Sequence, residues 1–468
     1  MQALSVFRKI SICCLLILFT AVSILAGEGG LTKSIIKKSR EAYKLDIPTR
    51  ASYNAVTNND IRDLALNRDI VRNHNELFSH KIKTKGIVDQ KSSGRCWVFA
   101  WLNTMRPMVI EKHDLDKFEF SQNYLTFWDK MEKANRFLEY IIEFRERDLE
   151  DRELTLILES PFSDGGYWRY AVNLIKKYGL VPKEIMPETN SSENTRLMNR
   201  VISKKLRMDA AQIRKMFQNG ASVKELRKFK EDKLIEVYRL LAMNIGEPPV
   251  EFEWRYQIDD TTLSDDKTYT PLSFFKKFVG AELDDFVCLY NNPTRAYGER
   301  YISSMSRNLY DGEDFDHVNV EIERLKEIAK ASILDNQPLY FSSDVGKDQN
   351  SDLGMMAENL YDYGTLFGID LDMSKEDMAL YLHSSSNHGM SLIGVDIIDG
   401  KPVKWLVENS WGDEKGSDGL WTMYDDWFDN YVFYIIARKK YVPRNILKLF
   451  DKDPIIIPPW DPIASFIK

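Results

Sequence analysis

Cysteine is scarce in this chain, which has four cysteines among 468 residues. Cys13 and Cys14 lie in an apolar N-terminal stretch, which leaves Cys96 and Cys288 in the body of the chain. Two cysteines so far apart do not form a disulfide framework. Cys288 stands in an apolar run and is expected to be a core residue, so Cys96 is the thiol whose purpose needs an explanation.

The sequence also lacks an excess of positive charge. Its formal net charge is −7 and its pI is near 5.6, which gives no support for nucleic-acid binding. It shows no internal repeat, no glycine-rich loop that would cradle a phosphate and no spacing of metal ligands. No cofactor and no metal are therefore expected. Charged residues make up 29% and hydrophobic residues 44% of the chain, which is typical of a globular protein.

One long apolar run is present, and it lies at the N-terminus. Arg8 and Lys9 precede an apolar segment that ends at Ala26 and is followed by Gly27. This pattern predicts a secretory signal peptide over residues 1–26 and an extracytoplasmic mature protein, periplasmic or secreted, with no membrane attachment after cleavage. An uncleaved membrane anchor is the alternative, although the run is short for a membrane span.

The stretch from Gln90 to Trp101 contains the candidate nucleophile. Small and polar residues precede Cys96 and an apolar run with helical spacing follows it, so Cys96 is expected in the first turn of a helix. The unpaired backbone N–H groups and the helix dipole at that end favour a thiolate. The side-chain amide of Gln90 can donate to an oxyanion beside Cys96, together with the Cys96 N–H. The alternative interpretation is a small, buried core cysteine.

A cysteine nucleophile needs a base and a residue that orients the base. Among six histidines, His388 stands at the start of a strand pattern, and Asn409 follows the next strand pattern. Adjacent antiparallel strands would place these two residues side by side, with one imidazole nitrogen bonded to Asn409 and the other facing Cys96. The other five histidines lie in polar or loop-like contexts without a partner pattern: His74, His80, His113, His317 and His383.

Several shorter patterns organise the first part of the chain. Basic and apolar residues alternate over residues 31–50, which predicts a solvated amphipathic helix or a flexible lead-in. Ser121 is expected to cap the helix that follows it. Gly165 and Gly166 precede a helix expected near residues 169–178, and this glycine pair either lets the backbone approach a bound peptide or forms an ordinary turn.

The second part of the chain changes character twice. Residues 189–330 are rich in charged residues with helical spacing and predict a helical insertion or assembly surface. From Gln337 onward the pattern indicates strands, because β-branched and aromatic residues dominate several short runs. These runs are residues 339–341, 390–395, 403–407, 420–423 and 431–437.

These motifs together resemble a known family. Cys96-Trp97, the His388 strand and the run from Asn409 to Gly412 are similar to the papain superfamily and, within it, to the bleomycin hydrolase and aminopeptidase C family. The run from Lys91 to Trp97 is highly specific to that family. The matching stretches are spread along most of the chain after residue 26: residues 90–100, 120–135, 164–209, 337–347 and 459–462. The chain departs from the family at Tyr167, where glutamine is usual, and at Gly389, where alanine is usual.

The resemblance implies a role for each candidate residue. Cys96 would be the nucleophile, His388 the general base and acid, and Asn409 the residue that orients the imidazole. Gln90 would donate to the oxyanion, and Trp411 would shield the Asn409–His388 bond from water. The backbone of the glycine pair at residues 165 and 166 would contact the substrate.

The resemblance also implies an activity and an assembly. The expected protein is a cysteine-type aminopeptidase that removes N-terminal residues from peptides through a thioester acyl-enzyme, and that forms a homo-hexamer. The alternatives are a papain-like endopeptidase and an inactive assembly protein that keeps the fold.

The predicted fold is α+β and papain-like, with a helical half that carries Cys96 and a β half that carries His388 and Asn409. The expected segments are a signal peptide at 1–26, an N-terminal extension with the helical lobe at 27–188, a helical insertion at 189–330, a β lobe at 331–450 and a C-terminal arm in the cleft at 451–468.

The C-terminal arm has a composition of its own. Its prolines favour a stiff, extended segment between residues 454 and 462, whereas a loosely attached terminus is the alternative. In the resembled family a matching tail ends near the active site, where its terminal carboxylate would meet the substrate α-ammonium. Lys468 ends this chain, and its own ammonium would repel that group. Trimming of the chain to Ile467 would remove the conflict.

Overall fold

The computed structural model describes residues 29–258 and 261–461. The segment predicted to be a signal peptide and the last seven residues, which include Lys468, lie outside the described residues. The chain divides into two compact units. Of the described residues, the smaller unit contains residues 29–66 together with Tyr363–Ile369, and the larger contains residues 67–258, 261–362 and 370–461.

The helices of the described chain vary from four to 23 residues. In chain order they are α1 Lys33–Ala42, α2 Ile47–Val56, α3 Ile61–Ala65, α4 Arg68–Asn73, α5 Cys96–His113, α6 Gln122–Glu143, α7 Arg152–Glu159, α8 Trp168–Tyr178, α9 Asn190–Glu193, α10 Arg196–Gln218, α11 Val223–Ile245, α12 Pro271–Phe274, α13 Ile322–Leu334, α14 Tyr363–Phe367, α15 Lys375–Leu380, α16 Asp425–Tyr431 and α17 Arg444–Leu447. In the described residues, none of these helices is both long enough and apolar enough to cross a membrane.

The strands of the described chain belong to two sheets. In chain order they are β1 His80–Lys81, β2 Phe252–Trp254, β3 Lys267–Tyr269, β4 Phe286–Tyr290, β5 Arg300–Ser303, β6 Phe315–Asn319, β7 Leu339–Ser343, β8 Gln349–Asn350, β9 Met355–Met356, β10 His388–Ile398, β11 Lys401–Glu408, β12 Leu420–Tyr424, β13 Val432–Arg438 and β14 Ile455–Ile457. The main sheet has the order β14-β5-β6-β4-β13-β7-β10-β11-β12-β9-β8, with β1 paired to β10, whereas β2 and β3 pair only with each other.

The smaller unit contains α1, α2, α3 and α14. Side chains of Thr32 and Asp46 cap the first two helices by accepting hydrogen bonds from backbone N–H groups. Among the described residues of this unit, only Ala65 is buried. The basic stretch at residues 31–50 therefore contains a solvated helix, which is one of the two forms that its sequence predicts.

Two apolar cores support the larger unit. One core lies among α5, α6, α8, α10 and α11, and Trp101, Phe127 and Trp168 belong to it. The other core lies on the main sheet and includes Phe341 and Trp405. Burial of aromatic and aliphatic side chains in the two cores supplies most of the stabilisation of such a domain. The fold is α+β, as the sequence predicts.

Several local predictions are confirmed. Ser121 caps α6 by accepting a hydrogen bond from the Tyr124 N–H at 3.0 Å. Cys96 is the first residue of α5, and Cys288 lies buried in β4. Strands β7, β10, β11, β12 and β13 lie where the β-branched and aromatic runs predict them.

The charged segment at residues 189–330 is only partly helical, which corrects the prediction of a helical block. The long helices α10 and α11 fill its first part, but β2 to β6 lie between residues 252 and 319. Strand β4 is a nearly continuous apolar run that pairs with β13 in the main sheet, so burial on both faces favours the strand there. His317 is also not in a polar context, because it lies buried in β6.

Candidate active site

Cys96 begins α5, and its neighbours fix how that helix begins. Arg95 precedes the helix without capping it through its side chain, so the first backbone N–H groups remain available. The Trp97 indole N–H donates to the backbone oxygen of Asp164 at 2.9 Å, which holds this first turn in place. The Cys96 side chain is half-buried, whereas the side chain of Cys288 is buried.

The electrostatic environments of the two cysteines are opposite. Burial by itself raises the pKa of the Cys96 thiol, but the facing His388 imidazolium, its hydrogen bond and the Gly389 and Trp97 N–H groups lower it below its usual value. Burial, with a smaller contribution from the charge of Asp316, raises the pKa of the Cys288 thiol well above its usual value, although Arg169 lowers it. The surroundings of Cys96 therefore favour the thiolate form more than those of an ordinary cysteine do, whereas the surroundings of Cys288 favour the neutral thiol.

His388 and Asn409 come together because their strands are neighbours. Strands β10 and β11 are antiparallel, and Ser391 pairs with Glu408 in their ladder. The His388 Nε2 lies 2.8 Å from the Asn409 Oδ1, so the remaining ring nitrogen, Nδ1, faces the Cys96 thiol. Burial lowers the pKa of His388, but the Cys96 thiolate and the Asn409 hydrogen bond raise it above its usual value. The predicted side-by-side arrangement is confirmed.

Trp411 covers the imidazole. Its ring centroid lies 5.0 Å from that of His388, at an interplanar angle of 40°. The Trp411 ring also packs edge-on against Trp421, with 5.3 Å between ring centroids. The hydrogen bond between His388 and Asn409 is buried beside this indole.

Gln90 is held by the segment that follows Asn409. The Ser410 hydroxyl donates to the Gln90 Oε1 at 2.6 Å, and the Gln90 backbone N–H donates to the Ser410 oxygen at 2.8 Å. The Gln90 Nε2 donates to the Ser93 backbone oxygen at 2.6 Å. An amide nitrogen carries two N–H groups, so a second donor remains for a ligand beside the nucleophile turn.

Gly165 and Gly166 line the same cavity as Cys96 and His388. This cavity has a volume of about 180 Å³ and is also lined by Tyr340 and Gly389. A Cβ atom on Gly166 would lie 2.7 Å from the Trp97 ring, so the backbone must pass close to the nucleophile helix. Among the described residues that line this cavity, none is an aspartate or glutamate.

Comparisons with known proteins identify the family of this chain. Residues 30–464 match the Peptidase C1-like family. The chain belongs to the Peptidase C1-like family. It is 36% identical to aminopeptidase C of Streptococcus thermophilus, over 93% of this chain and 98% of that protein. It is also 36% identical to bleomycin hydrolase of Homo sapiens, over 88% of this chain and 93% of that protein.

A solved structure is similar over almost the same length. The crystal structure of PepW from Lactobacillus rhamnosis HN001 has a TM-score of 0.90 and 37% sequence identity. The match covers 93% of this chain and 99% of the other. The recognised family and the papain-like fold are therefore established for the described chain.

The departure from the family at Gly389 has a physical reason. A Cβ atom at Gly389 would lie 2.4 Å from the Tyr340 hydroxyl oxygen and 2.8 Å from its Cζ. The Tyr340 side chain thus occupies the space that an alanine methyl group would need. Tyr167, the other departure, is buried, with its ring 4.4 Å from that of Tyr170 and 4.6 Å from that of Phe315.

The sequence does not predict the buried charged residues around this site. Arg106 on α5 forms an ion pair of 2.6 Å with Glu408, the residue before Asn409. Lys130 and Lys133 on α6 contact the segment that contains the glycine pair. The charge pattern of a helix does not distinguish a buried, paired lysine from a solvated one. In the sequence, only Asp164, beside the two glycines, indicates a charged partner near the site.

Proposed function

We propose that Cys96, His388 and Asn409 carry out the chemistry of a cysteine aminopeptidase. The activity follows from the family, and the relatives named aminopeptidase C and bleomycin hydrolase match most of this chain. The observation that carries the residue roles is the hydrogen-bonded sequence from the Cys96 thiol through His388 to Asn409. A buried core cysteine would have no such partners.

In the first half of the reaction, the Cys96 thiolate attacks the carbonyl carbon of the substrate's first peptide bond. The developing oxyanion accepts hydrogen bonds from the Cys96 N–H and from the free N–H of the Gln90 amide. The His388 imidazolium gives its proton to the leaving amine as the C–N bond breaks. The products are a thioester on Cys96 and a shortened peptide.

In the second half, neutral His388 takes a proton from water, and the resulting hydroxide attacks the thioester carbonyl. The C–S bond breaks, the N-terminal amino acid leaves with a new carboxyl group that releases its proton to solvent, and the thiolate–imidazolium pair is restored. Asn409 keeps the imidazole oriented through both halves, because its Oδ1 stays bonded to Nε2.

A substitution at the nucleophile tests these roles. Cys96→Ala abolishes turnover of aminoacyl substrates while the fold, followed by circular dichroism, survives. Cys288→Ala is the matched control, since that thiol is buried in β4 and keeps its proton, and it retains turnover. Turnover above background by purified Cys96→Ala enzyme contradicts the proposal.

The C-terminal arm is proposed to restrict the enzyme to free N-termini. Strand β14 pairs in parallel with β5 at the edge of the main sheet, and buried Asp461 forms an ion pair with Arg295. The Arg152 guanidinium lies 4.1 Å from the centre of the Trp460 ring. Because the described residues that line the cavity offer no carboxylate, a chain-terminal carboxylate is the anion proposed to meet the substrate α-ammonium.

Deletion of residues 463–468 tests the arm. The truncated enzyme cleaves aminoacyl substrates less well and begins to cleave N-blocked peptides, because the barrier and the anion are both gone. A variant that ends at Ile467 keeps the restriction, since the Lys468 ammonium is removed and Ile467 then carries the terminal carboxylate. If the truncated enzyme keeps its strict need for a free amine, the arm does not impose it. The same aminoacyl and N-blocked peptide substrates distinguish an aminopeptidase from an endopeptidase, because an endopeptidase would cleave N-blocked peptides with the arm intact.

The localisation proposal rests on residues 1–26. Their basic start and apolar run support export, and the family match begins only at residue 30. N-terminal sequencing of protein from cell fractions should give a start near Gly27 outside the cytoplasm. An intact Met1 in the cytosol contradicts this.

The proposed assembly is a homo-hexamer, and the support for it is the family resemblance. Helices α10 and α11 carry apolar side chains with most of their surface exposed, which supports a contact surface there. These are Leu197, Val201, Met208, Ile235 and Met243. Light scattering that gives a monomer at working concentration counts against the hexamer.

A further inference from the structure

The segment with the two glycines has no strand partner that would hold it against the nucleophile turn. Residues 163–167 lie between α7 and α8, outside any strand of the described chain. Even so, the backbone of Gly166 lies so close to Trp97 that a single added carbon would clash at 2.7 Å. Some other set of contacts must hold this segment in place.

Asp164 makes several of these contacts. Its carboxylate accepts the backbone N–H of Gly94, two residues before Cys96, at 3.1 Å. Its backbone oxygen accepts the Trp97 indole N–H at 2.9 Å. One residue therefore holds both sides of Cys96 in the chain and is itself covalently attached to Gly165.

Buried lysines hold the segment from the opposite side. The Lys130 Nζ lies 2.5 Å from the Asp164 carboxylate and 2.9 Å from the Ser163 backbone oxygen. The Lys133 Nζ donates to the backbone oxygens of Gly165 at 2.7 Å and Ser163 at 3.0 Å. The Lys130 and Lys133 side chains are only 1% and 2% exposed, so water does not substitute for these bonds.

The charges of this cluster are balanced, because Lys130 pairs with Asp164 and Lys133 pairs with buried Asp129 at 2.7 Å. Helix α10 also joins the cluster. The Asp164 carboxylate also accepts hydrogen bonds from Thr195 and, at 2.7 Å, from Asn199. Burial raises the pKa of Asp164, but Lys130 and the hydroxyl and amide donors lower it well below its usual value. The carboxylate is thus ionised over the whole range in which a peptidase is assayed.

We propose that Asp164 is a positioning residue for the aminopeptidase reaction, which sets the Gly165–Gly166 backbone at a fixed distance from the Cys96 turn. The inference rests on the proposed function, because it assumes that the glycine backbone binds the substrate. Hydrogen bonds from a substrate to this backbone exist in both the ground state and the transition state, so their loss raises KM more than it lowers kcat.

Substitution of Asp164 by alanine tests this. In Asp164→Ala the kcat/KM for an aminoacyl-peptide substrate falls about 100-fold, mainly through KM, because displacement of a binding segment by about 1 Å has effects of that size. The rate of alkylation of Cys96 by iodoacetamide keeps its wild-type pH dependence, since His388 and Asn409 are untouched. A structural role alone would not separate these two readouts.

Two further variants keep the test decisive. Asp164→Asn leaves the Lys130 ammonium buried without its counter-charge, whereas the double variant Asp164→Asn with Lys130→Gln removes both charges and keeps the hydrogen-bonding groups. The double variant recovers most of the wild-type KM, and it decides the question if Asp164→Ala does not fold. Glu139→Gln is the control, because Glu139 is a buried carboxylate of α6 that pairs with Arg227 and Lys230 and contacts neither glycine.

The outcomes distinguish a failure of the proposed function from a failure of the role proposed for Asp164. If the wild-type enzyme fails to cleave aminoacyl peptides, the proposed function is wrong. If the wild-type enzyme cleaves them and the KM of Asp164→Ala, or of the double variant relative to Asp164→Asn, does not change, only the role of Asp164 is wrong. An equal rise of KM in Glu139→Gln also overturns it, because a general loss of stability would then explain the result.

Discussion

The two halves of the active site are held in different ways. Around Cys96, buried ion pairs secure loops and a helix start, as in Arg95 with Glu188 at 2.9 Å and Lys130 with Asp164 at 2.5 Å. Around His388 and Asn409, the backbone ladders of β10 with β7 and β11 set the positions, and His388 pairs with Ser343 of β7. A loop has no ladder to satisfy its backbone groups, so charged side chains serve that purpose on the helical side.

The two halves should therefore respond differently to substitutions. A ladder distributes its hydrogen bonds over many residues, so one side chain matters little to the register. A buried ion pair concentrates its effect, because the removal of one partner leaves a charge without compensation. Substitutions on the helical side should therefore have larger effects than conservative ones in the sheet.

The largest effect is expected where one ion pair joins the two halves. Arg106→Met removes the partner of Glu408 and also leaves the Thr84 and Gly86 backbone oxygens without their donor. The free energy of unfolding should fall by about 3–5 kcal/mol. Denaturant titration measures it, with Arg324→Met of the exposed Arg324–Glu327 pair as control, for which about 0–1 kcal/mol is expected. Equal losses in both variants would refute the difference between buried and exposed pairs.

The next effect concerns the Gln90 amide, which the sheet side orients through Ser410. Gln90→Ala should lower kcat about 100- to 1,000-fold, since one donor to the oxyanion is lost. Ser410→Ala removes only the hydroxyl that holds the Gln90 Oε1, so its kcat should fall less. A decrease below about tenfold in Gln90→Ala would show that this amide does not contact the oxyanion.

A smaller effect is expected on the pH dependence of folding stability, through the buried His317 on the sheet. Burial lowers the pKa of His317 to about 3, so between that value and the ordinary value near 6.5 the unfolded chain binds a proton that the folded chain does not. Folding stability should fall by about 1.4 kcal/mol for each pH unit below about 6.5 from this residue. In His317→Phe that contribution disappears, and denaturant titrations at pH 7 and pH 5 measure it. An unchanged pH dependence would contradict the assignment.

The smallest effect is a displacement of the pH profile. Activity appears as pH rises through the lowered pKa of Cys96 and is lost as pH rises further through the raised pKa of His388. The Asn409 hydrogen bond contributes to that raised value. In Asn409→Ala the basic limb of the kcat/KM profile should move to lower pH. A basic limb that stays in place would show that Asn409 orients the ring without stabilising its charge.

The sequence predicts the sheet half better than the helical half. Strands β10 and β11 follow from runs of β-branched and aromatic residues, and the positions of His388 and Asn409 at their ends then predict that the two meet. The start of α5 at Cys96 follows from the small and polar residues before it. These signals are local, which is why single-sequence reasoning finds them.

What the sequence does not predict is long-range. Lys130 and Lys133 have an ordinary helical spacing, and nothing in α6 indicates that their partners lie on a loop about thirty residues further along the chain. Strand β4 is surrounded by charged segments, and its place beside β13 depends on a pairing partner far away in sequence. The burial of His317 likewise depends on aromatic neighbours contributed by β4 and β5, Tyr290 and Tyr301.

The central claim, that Cys96 is a thiolate because it faces His388, is tested most directly by the pH dependence of iodoacetamide alkylation. Cys288 serves as the internal control, because it is buried and its raised pKa keeps it a thiol. In the wild-type protein, peptide mass spectrometry should find rapid alkylation at Cys96 well below the ordinary thiol pKa, and none at Cys288 while the fold persists. In His388→Ala this low-pH reactivity should be lost. If Cys96 keeps the same profile without His388, or reacts only above the ordinary thiol pKa in the wild type, the account is wrong.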